Sequence, residues 1–125
     1  MPAMADTVAV VSSNSAIATL SKTQLADIFF GRTNHFPNGL SAVPVDQVEG
    51  SSTRDEFYVL IAGRSAAQVK AYWSKIIFTG RGRPPRTVQD GTAMKKLIHD
   101  DPAAIGYIDA KLVDDTLRVV ALTGQ

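Results

Sequence analysis

Residues 48–57 read VEGSSTRDEF, and this stretch concentrates the groups in the chain best suited to hold an anion. Ser51, Ser52 and Thr53 can each donate a hydroxyl hydrogen bond, Gly50 lets the backbone approach closely, and Arg54 can add a charge-assisted contact. The pattern that follows, RDEFYVLIAG, carries Phe57, Leu60 and Ile61 at helical spacing and closes on Gly63. A helix start offers unpaired amides and a partial charge of roughly +0.5, which suits a phosphate or sulfate. The same residues also suit an internal role. Thr53 and Glu56 have the spacing of a capping box, Ser51 and Ser52 serve as turn residues, and Asp55 and Glu56 complement the positive helix end themselves. On local chemistry alone the cap is the commoner outcome, and both readings begin a helix here.

Other constellations carry less. GRGRPPR sets Arg81, Arg83 and Arg86 on a Gly/Pro scaffold, able to meet an acidic partner or to stand solvated. His35 and His99 have no partner at metal-ligand spacing, so neither zinc nor a triad is expected. The pairs Asp100-Asp101 and Asp114-Asp115 adjoin turns, where carboxylates cap and solubilise. The glycines form neither a dinucleotide fingerprint nor a phosphate loop of the nucleotide-binding kind. No catalytic residue and no cofactor is expected, and the chain reads as a non-enzyme.

The elements that must position these residues follow from periodicity. TVAVVS, Thr7 to Ser12, is a β-branched run expected as a buried strand. Ser21 stands three residues before Gln24 in a capping box, with Leu20 and Leu25 as its hydrophobic staple, and Gly31 stops the helix. Pro37 and Asn38-Gly39 predict a reversal, and Pro44 marks LSAVPV as an edge strand or a strand end. Ser65 and Gln68 make a second box. The helix after it carries Val69, Tyr72, Trp73, Ile76 and Ile77 on an expected apolar face, which makes Trp73 a core residue. Asp90 caps a helix with Met94, Leu97 and Ile98 that Pro102 closes. AAIGYID and TLRVVAL are expected as two strands joined by a turn or short helix in AKLVDD. Strands alternating with helices predict an α/β domain, a small sheet covered by helices.

With 125 residues, 45% of them hydrophobic and 20% charged, the chain is expected to be one domain with its own core. A net charge of +1 argues against a phosphate-backbone binder, so nucleic acid is not an expected partner. Cysteine is absent, which removes thiol nucleophiles, disulfides and zinc knuckles. Ala3-Met4-Ala5 has the small-x-small form of a signal-peptidase site. Residues 1–6 are therefore read as a cleavage remnant or leader, and 7–125 as the domain.

Taken in order, LSKTQLADIFFGRTNHFPNG, VPVDQVEGSSTRDEFY, YWSKIIFTGRGRPPRTV and AAIGYID resemble the phosphate-binding-protein-like family of bacterial ABC importers, especially its small, single-lobe members. The resemblance runs from about Val8 to Val120. It implies one lobe of a type II periplasmic binding protein, a secreted precursor, a periplasmic location, and phosphate or a related oxyanion as ligand. In the large receptors a Ser-Gly-Thr sequence at a helix start holds phosphate, and Ser51, Ser52 and Thr53 occupy that pattern here. Ser52 replaces the family's glycine, and Gln47 stands where the family has an arginine. Those receptors close two lobes around a dehydrated anion.

The expectation is thus an oxyanion-binding domain of phosphate uptake or sensing, with Ser51, Ser52, Thr53, Arg54 and, in the loop after the first strand, Ser13 as ligand residues. An ABC permease or another envelope protein is an expected partner, and a second copy of the chain across a two-fold axis could close a cleft. The alternative is an envelope interaction module that keeps the fold without transport-grade binding and docks a partner through GRGRPPR.

Overall fold

The first strand, β1 (Thr7–Ser12), is buried on both faces, which is why its sequence reads as an unbroken apolar run. It pairs antiparallel with β5 (Ala104–Asp109) on one side and with β6 (Leu117–Val119) on the other. On the far side of β5, β3 (Val43–Gln47) and then β4 (Arg86–Val88) pair in parallel, giving the order β4-β3-β5-β1-β6. A separate parallel pair joins β2 (Thr19–Ser21) to β7 (Ala121–Thr123). This computed structural model describes residues 6–124; residues 1–5 of the expected leader lie outside the described residues.

Alternation along the strands divides the interior in two. Ala9, Val11, Ile105 and Tyr107 face a core shared with α1 (Lys22–Phe29), α2 (Ser52–Ala62) and α3 (Ala66–Phe78). Val10, Ala104 and Ile108 face the opposite way, against Met94 and Ile98 of α4 (Gly91–Asp100). Gly106 is what lets α4 lie so close, since a Cβ there would come within 2.5 Å of Met94 Sδ. The result is the mixed sheet with helices on its faces that the element order predicts.

The caps at Ser21, Ser65 and Asp90 form as the spacing predicts. Ser21 and Ser65 each accept from the amide of the glutamine three residues on, and each glutamine returns to the serine's own amide. Asp90 accepts from Ala93 N at 3.0 Å. Pro44 falls at the second residue of β3, before the Val45–Gln47 stretch that pairs with β4, so it occupies a strand end. Asn38 and Gly39 make the expected reversal, with Gly39 in the left-handed region at φ 87°.

Three expectations are corrected. TLRVVAL does not form one strand: it breaks at the buried Val120, leaving β6 in the main sheet and β7 against β2, because Val120 N reaches Ala9 O while Ala121 N reaches Ala18 O. Ile77 is 55% exposed while its neighbour Ile76 packs against the core, so the buried face of α3 takes in Val69, Tyr72, Trp73 and Ile76 and leaves Ile77 outside it. The box expected between Thr53 and Glu56 does not form. Ser51 is the N-cap of α2, and Glu56 instead accepts from the Thr7 hydroxyl at 2.8 Å.

Candidate functional site

The cradle begins where β3 ends. Gln47 closes the strand, Ser51 N turns back onto Val48 O, and Gly50 sits at φ 98°, a left-handed conformation that favours glycine. A Cβ at Gly50 would meet no atom within 4 Å, so the approach to the helix start is open. Ser52 is exposed and Thr53 half-buried. Among the described residues their amides have no protein acceptor; the first-turn amides that do find one are those of Arg54, on Ser51 Oγ at 3.2 Å, and Asp55, on Ser51 O at 3.1 Å.

Two of the expected ligand groups are engaged inward. The Ser51 hydroxyl donates to Gln47 Oε1 at 2.9 Å while it accepts from Arg54 N. The Arg54 side chain turns under the helix: its Nε lies 3.4 Å from Asp46 Oδ1, and its guanidinium carbon stands 5.5 Å from the Tyr58 ring centroid. Burial disfavours the Arg54 charge, but the Asp46 carboxylate outweighs that and holds the guanidinium above its ordinary value.

Asp46 is the hub beneath the cradle. It is 2% exposed, and it accepts from the Tyr58 hydroxyl at 2.6 Å, from the Tyr107 hydroxyl, and from Gln47 N at 2.9 Å. Gln47 is drawn into the same network, donating from Nε2 to Tyr107 O at 3.2 Å. Burial, reinforced by the adjacent Asp46 charge, pushes the ionisation of both tyrosines far above the ordinary phenol value of 10.0. Phe57 stacks on Tyr107 with ring centroids 4.0 Å apart, which fixes the phenol. The sequence reading did not single out Asp46, Tyr58 or Tyr107. The available signal was Asp46 itself, a carboxylate inside the apolar strand run VPVDQV, which needs a buried partner.

Ser51, Ser52, Thr53 and Arg54 are brought together; Ser13 is not. Val11 of β1 lies opposite Ile105 of β5, which lies opposite Pro44 of β3, and β1 runs against β3. Ser13, just past the end of β1, therefore sits at the end of the sheet where β3 begins, with its amide on Thr116 O at 3.1 Å. The GRGRPPR loop enters β4 at that same end, since Arg86 pairs with Val45 and Val88 with Gln47. Within one chain the arginine loop and the cradle face opposite ways. Asp101 closes a turn onto Ala103 N, and Asp114 binds Lys95 at 2.7 Å and the Thr116 hydroxyl and amide, contacts that hold its carboxyl well below the usual range. Among the described residues no group of three or more His, Cys, Asp or Glu could hold a metal, and no helix is long and apolar enough to cross a membrane.

The architecture is a mixed sheet with helices on both faces and a helix N-terminus set at the carboxyl end of an inner parallel strand. Solved structures share it. The chain superposes with TM-score 0.74 on a Clostridium perfringens protein assigned to phosphate ABC transport as a substrate-binding protein and solved with bound phosphate, at 21% identity over 93% of this chain and 44% of that one. An ABC-type phosphate transport receptor from Vibrio cholerae gives 0.72 and 19%, over 93% and 46%. PstS from Borrelia burgdorferi gives 0.67 and 15%, over 94% and 47%. At these identities the likeness is one of fold, and the chain spans less than half the length of each neighbour. Neither a protein-family model nor a curated protein matches the chain.

Proposed function

We infer that this chain is a periplasmic oxyanion-binding domain that takes phosphate at the start of α2 and serves ABC-type phosphate uptake or sensing. The observation that carries the reading is the pair of unengaged amides at Ser52 and Thr53, each beside its own hydroxyl, at an open helix start above a fixed buried charge pair. The phosphate bound in the Clostridium perfringens structure of the same fold supports it. The ligand groups are the amides and hydroxyls of Ser52 and Thr53. Ser51 orients the first turn as its cap, and Arg54, paired with Asp46, acts from below as a screened positive charge. Asp55, in the same turn, opposes an anion. Among the described residues the outer side of the cradle is open, so water competes for every contact, and affinity is on the order of millimolar, about −4 kcal/mol.

The test is a titration of phosphate, then of sulfate at matched ionic strength, into isotope-labelled protein while backbone amide shifts are followed. Saturable, phosphate-selective shifts centred on Ser51 to Arg54 are expected. Shifts that merely track ionic strength would leave this helix start as a cap and withdraw the oxyanion reading.

A further inference from the structure

The arginine loop, which the oxyanion reading leaves unused, borders a cavity of about 220 Å³ at the opposite end of the sheet. Its apolar walls are Ile28 and Phe29 at the end of α1, Trp73 of α3, and Pro84 and Pro85 of the loop, with Arg83 and Arg86 at its border. That volume is below the roughly 300–1,000 Å³ of small-molecule sites and suits one or two inserted side chains. Arg81, Arg83 and Arg86 are exposed and make no ion pair among the described residues. The prolines fix the loop in an extended form, which lowers the ordering cost of binding. The same strand of chain is tied to the end of α3, with Arg81 N on Ile76 O at 3.1 Å. There Phe78 stands 91% exposed and Ile77 55% exposed, three and four residues before Arg81.

We propose that this cavity, with the Arg81–Arg86 loop, is a docking site for an acidic partner segment that inserts an apolar side chain between flanking carboxylates. Charge complementarity selects the occupant: two guanidiniums without ion pairs at the border of a small apolar hole, with a third on the same loop, suit acidic residues around an apolar anchor and repel basic segments. Guanidiniums bind carboxylates in a bidentate way, so arginine gives orientation as well as charge. The site lies away from the cradle and stands whether or not phosphate binds there.

Trp73 is the chain's only tryptophan and lines the cavity, so its emission reports occupancy. The probes are acetylated, amidated hexapeptides: Glu-Glu-Leu-Phe-Glu-Glu and its counterparts with glutamine or lysine in place of glutamate. The glutamate peptide is expected to shift Trp73 emission saturably, and the glutamine peptide or an Arg83→Ala/Arg86→Ala variant to weaken binding about tenfold or more. An Arg83→Glu/Arg86→Glu variant should transfer the preference to the lysine peptide. Both arginines are exposed, so the variants keep the fold, which an unchanged thermal transition verifies. Absence of a saturable shift, equal response to glutamate and glutamine peptides, or full reproduction of the shift by inorganic phosphate would each overturn the proposal. Phosphate moving the α2 amides while leaving Trp73 emission unchanged is expected if the two sites are distinct.

Discussion

Two kinds of helix start coexist in this molecule. At α1 and α3 the first turn is closed locally: a serine caps, and a glutamine three residues on returns to the serine's amide, on a surface exposed to water. At α2 the third residue after the cap is Arg54, which turns inward to Asp46 instead of back to the Ser51 amide. That amide goes to Val48 O, and the cap hydroxyl is held by Gln47. The start of α2 is thus fixed by a buried polar network beneath it, leaving its outer surface available. The lesson is that a helix N-terminus becomes a platform for an external anion when its orientation is supplied from below.

The largest test of that contrast is removal of the hub. Asp46→Ala leaves the Arg54 charge and the Tyr58 and Tyr107 hydroxyls without their acceptor in a buried setting, and is expected to cost about 3–5 kcal/mol. Ser65→Ala, which removes a local box, should cost about 1 kcal/mol. Denaturant unfolding of the two variants measures both, and similar losses would show that the α2 network is no more than another cap.

Alkaline titration probes the same network from its tyrosines. Both folded ionisations are raised above the ordinary value of 10.0, so the folded chain keeps protons that the unfolded chain releases above about pH 10. Their contribution is fully present below pH 10 and is lost as pH rises further, by about 1.4 kcal/mol per tyrosine at pH 11. Phenolate absorbance of Tyr58 and Tyr107 is expected to appear together with unfolding. Titration of both in a chain that is still folded would contradict their burial against Asp46.

Much of the fold is legible in the sequence because it rests on local or periodic signals. The Ser21 and Ser65 boxes, the Asn38-Gly39 reversal and the apolar runs of β1 and β5 each need only neighbouring residues to be read. The misreadings arise where a long-range contact decides. Thr53 and Glu56 have box spacing, but Thr7, far away in sequence, takes Glu56. TLRVVAL has uniform strand propensity, yet its two halves face different partners, β1 and β2. Ile77 fits the apolar period of α3, but among the described residues the core packs against Ile76 and leaves Ile77 on the outward side. In the candidate site, the hydroxyl cluster and helix start were legible, whereas the direction of Arg54 depended on a carboxylate eight residues earlier whose burial only the assembled sheet creates.

The smallest expected change in stability separates platform from cap most sharply. In Thr53→Val the isopropyl side chain matches threonine in shape, and Thr53 Oγ1 has no hydrogen-bond partner among the described residues, so stability should move by no more than about 0.5 kcal/mol. If Thr53 contacts the anion, the same change removes one hydroxyl donor and should weaken phosphate binding severalfold in the amide titration, as loss of a hydrogen bond of about 1 kcal/mol implies. Ser51→Ala supplies the opposite pattern, because its hydroxyl holds Arg54 N and Gln47 Oε1: a stability loss of about 1 kcal/mol is expected, with phosphate contacts at Ser52 and Thr53 weakened only through a looser first turn. A Thr53→Val variant that loses stability and keeps its phosphate shifts would reverse the two roles, making Thr53 part of the cap and Ser51 the ligand.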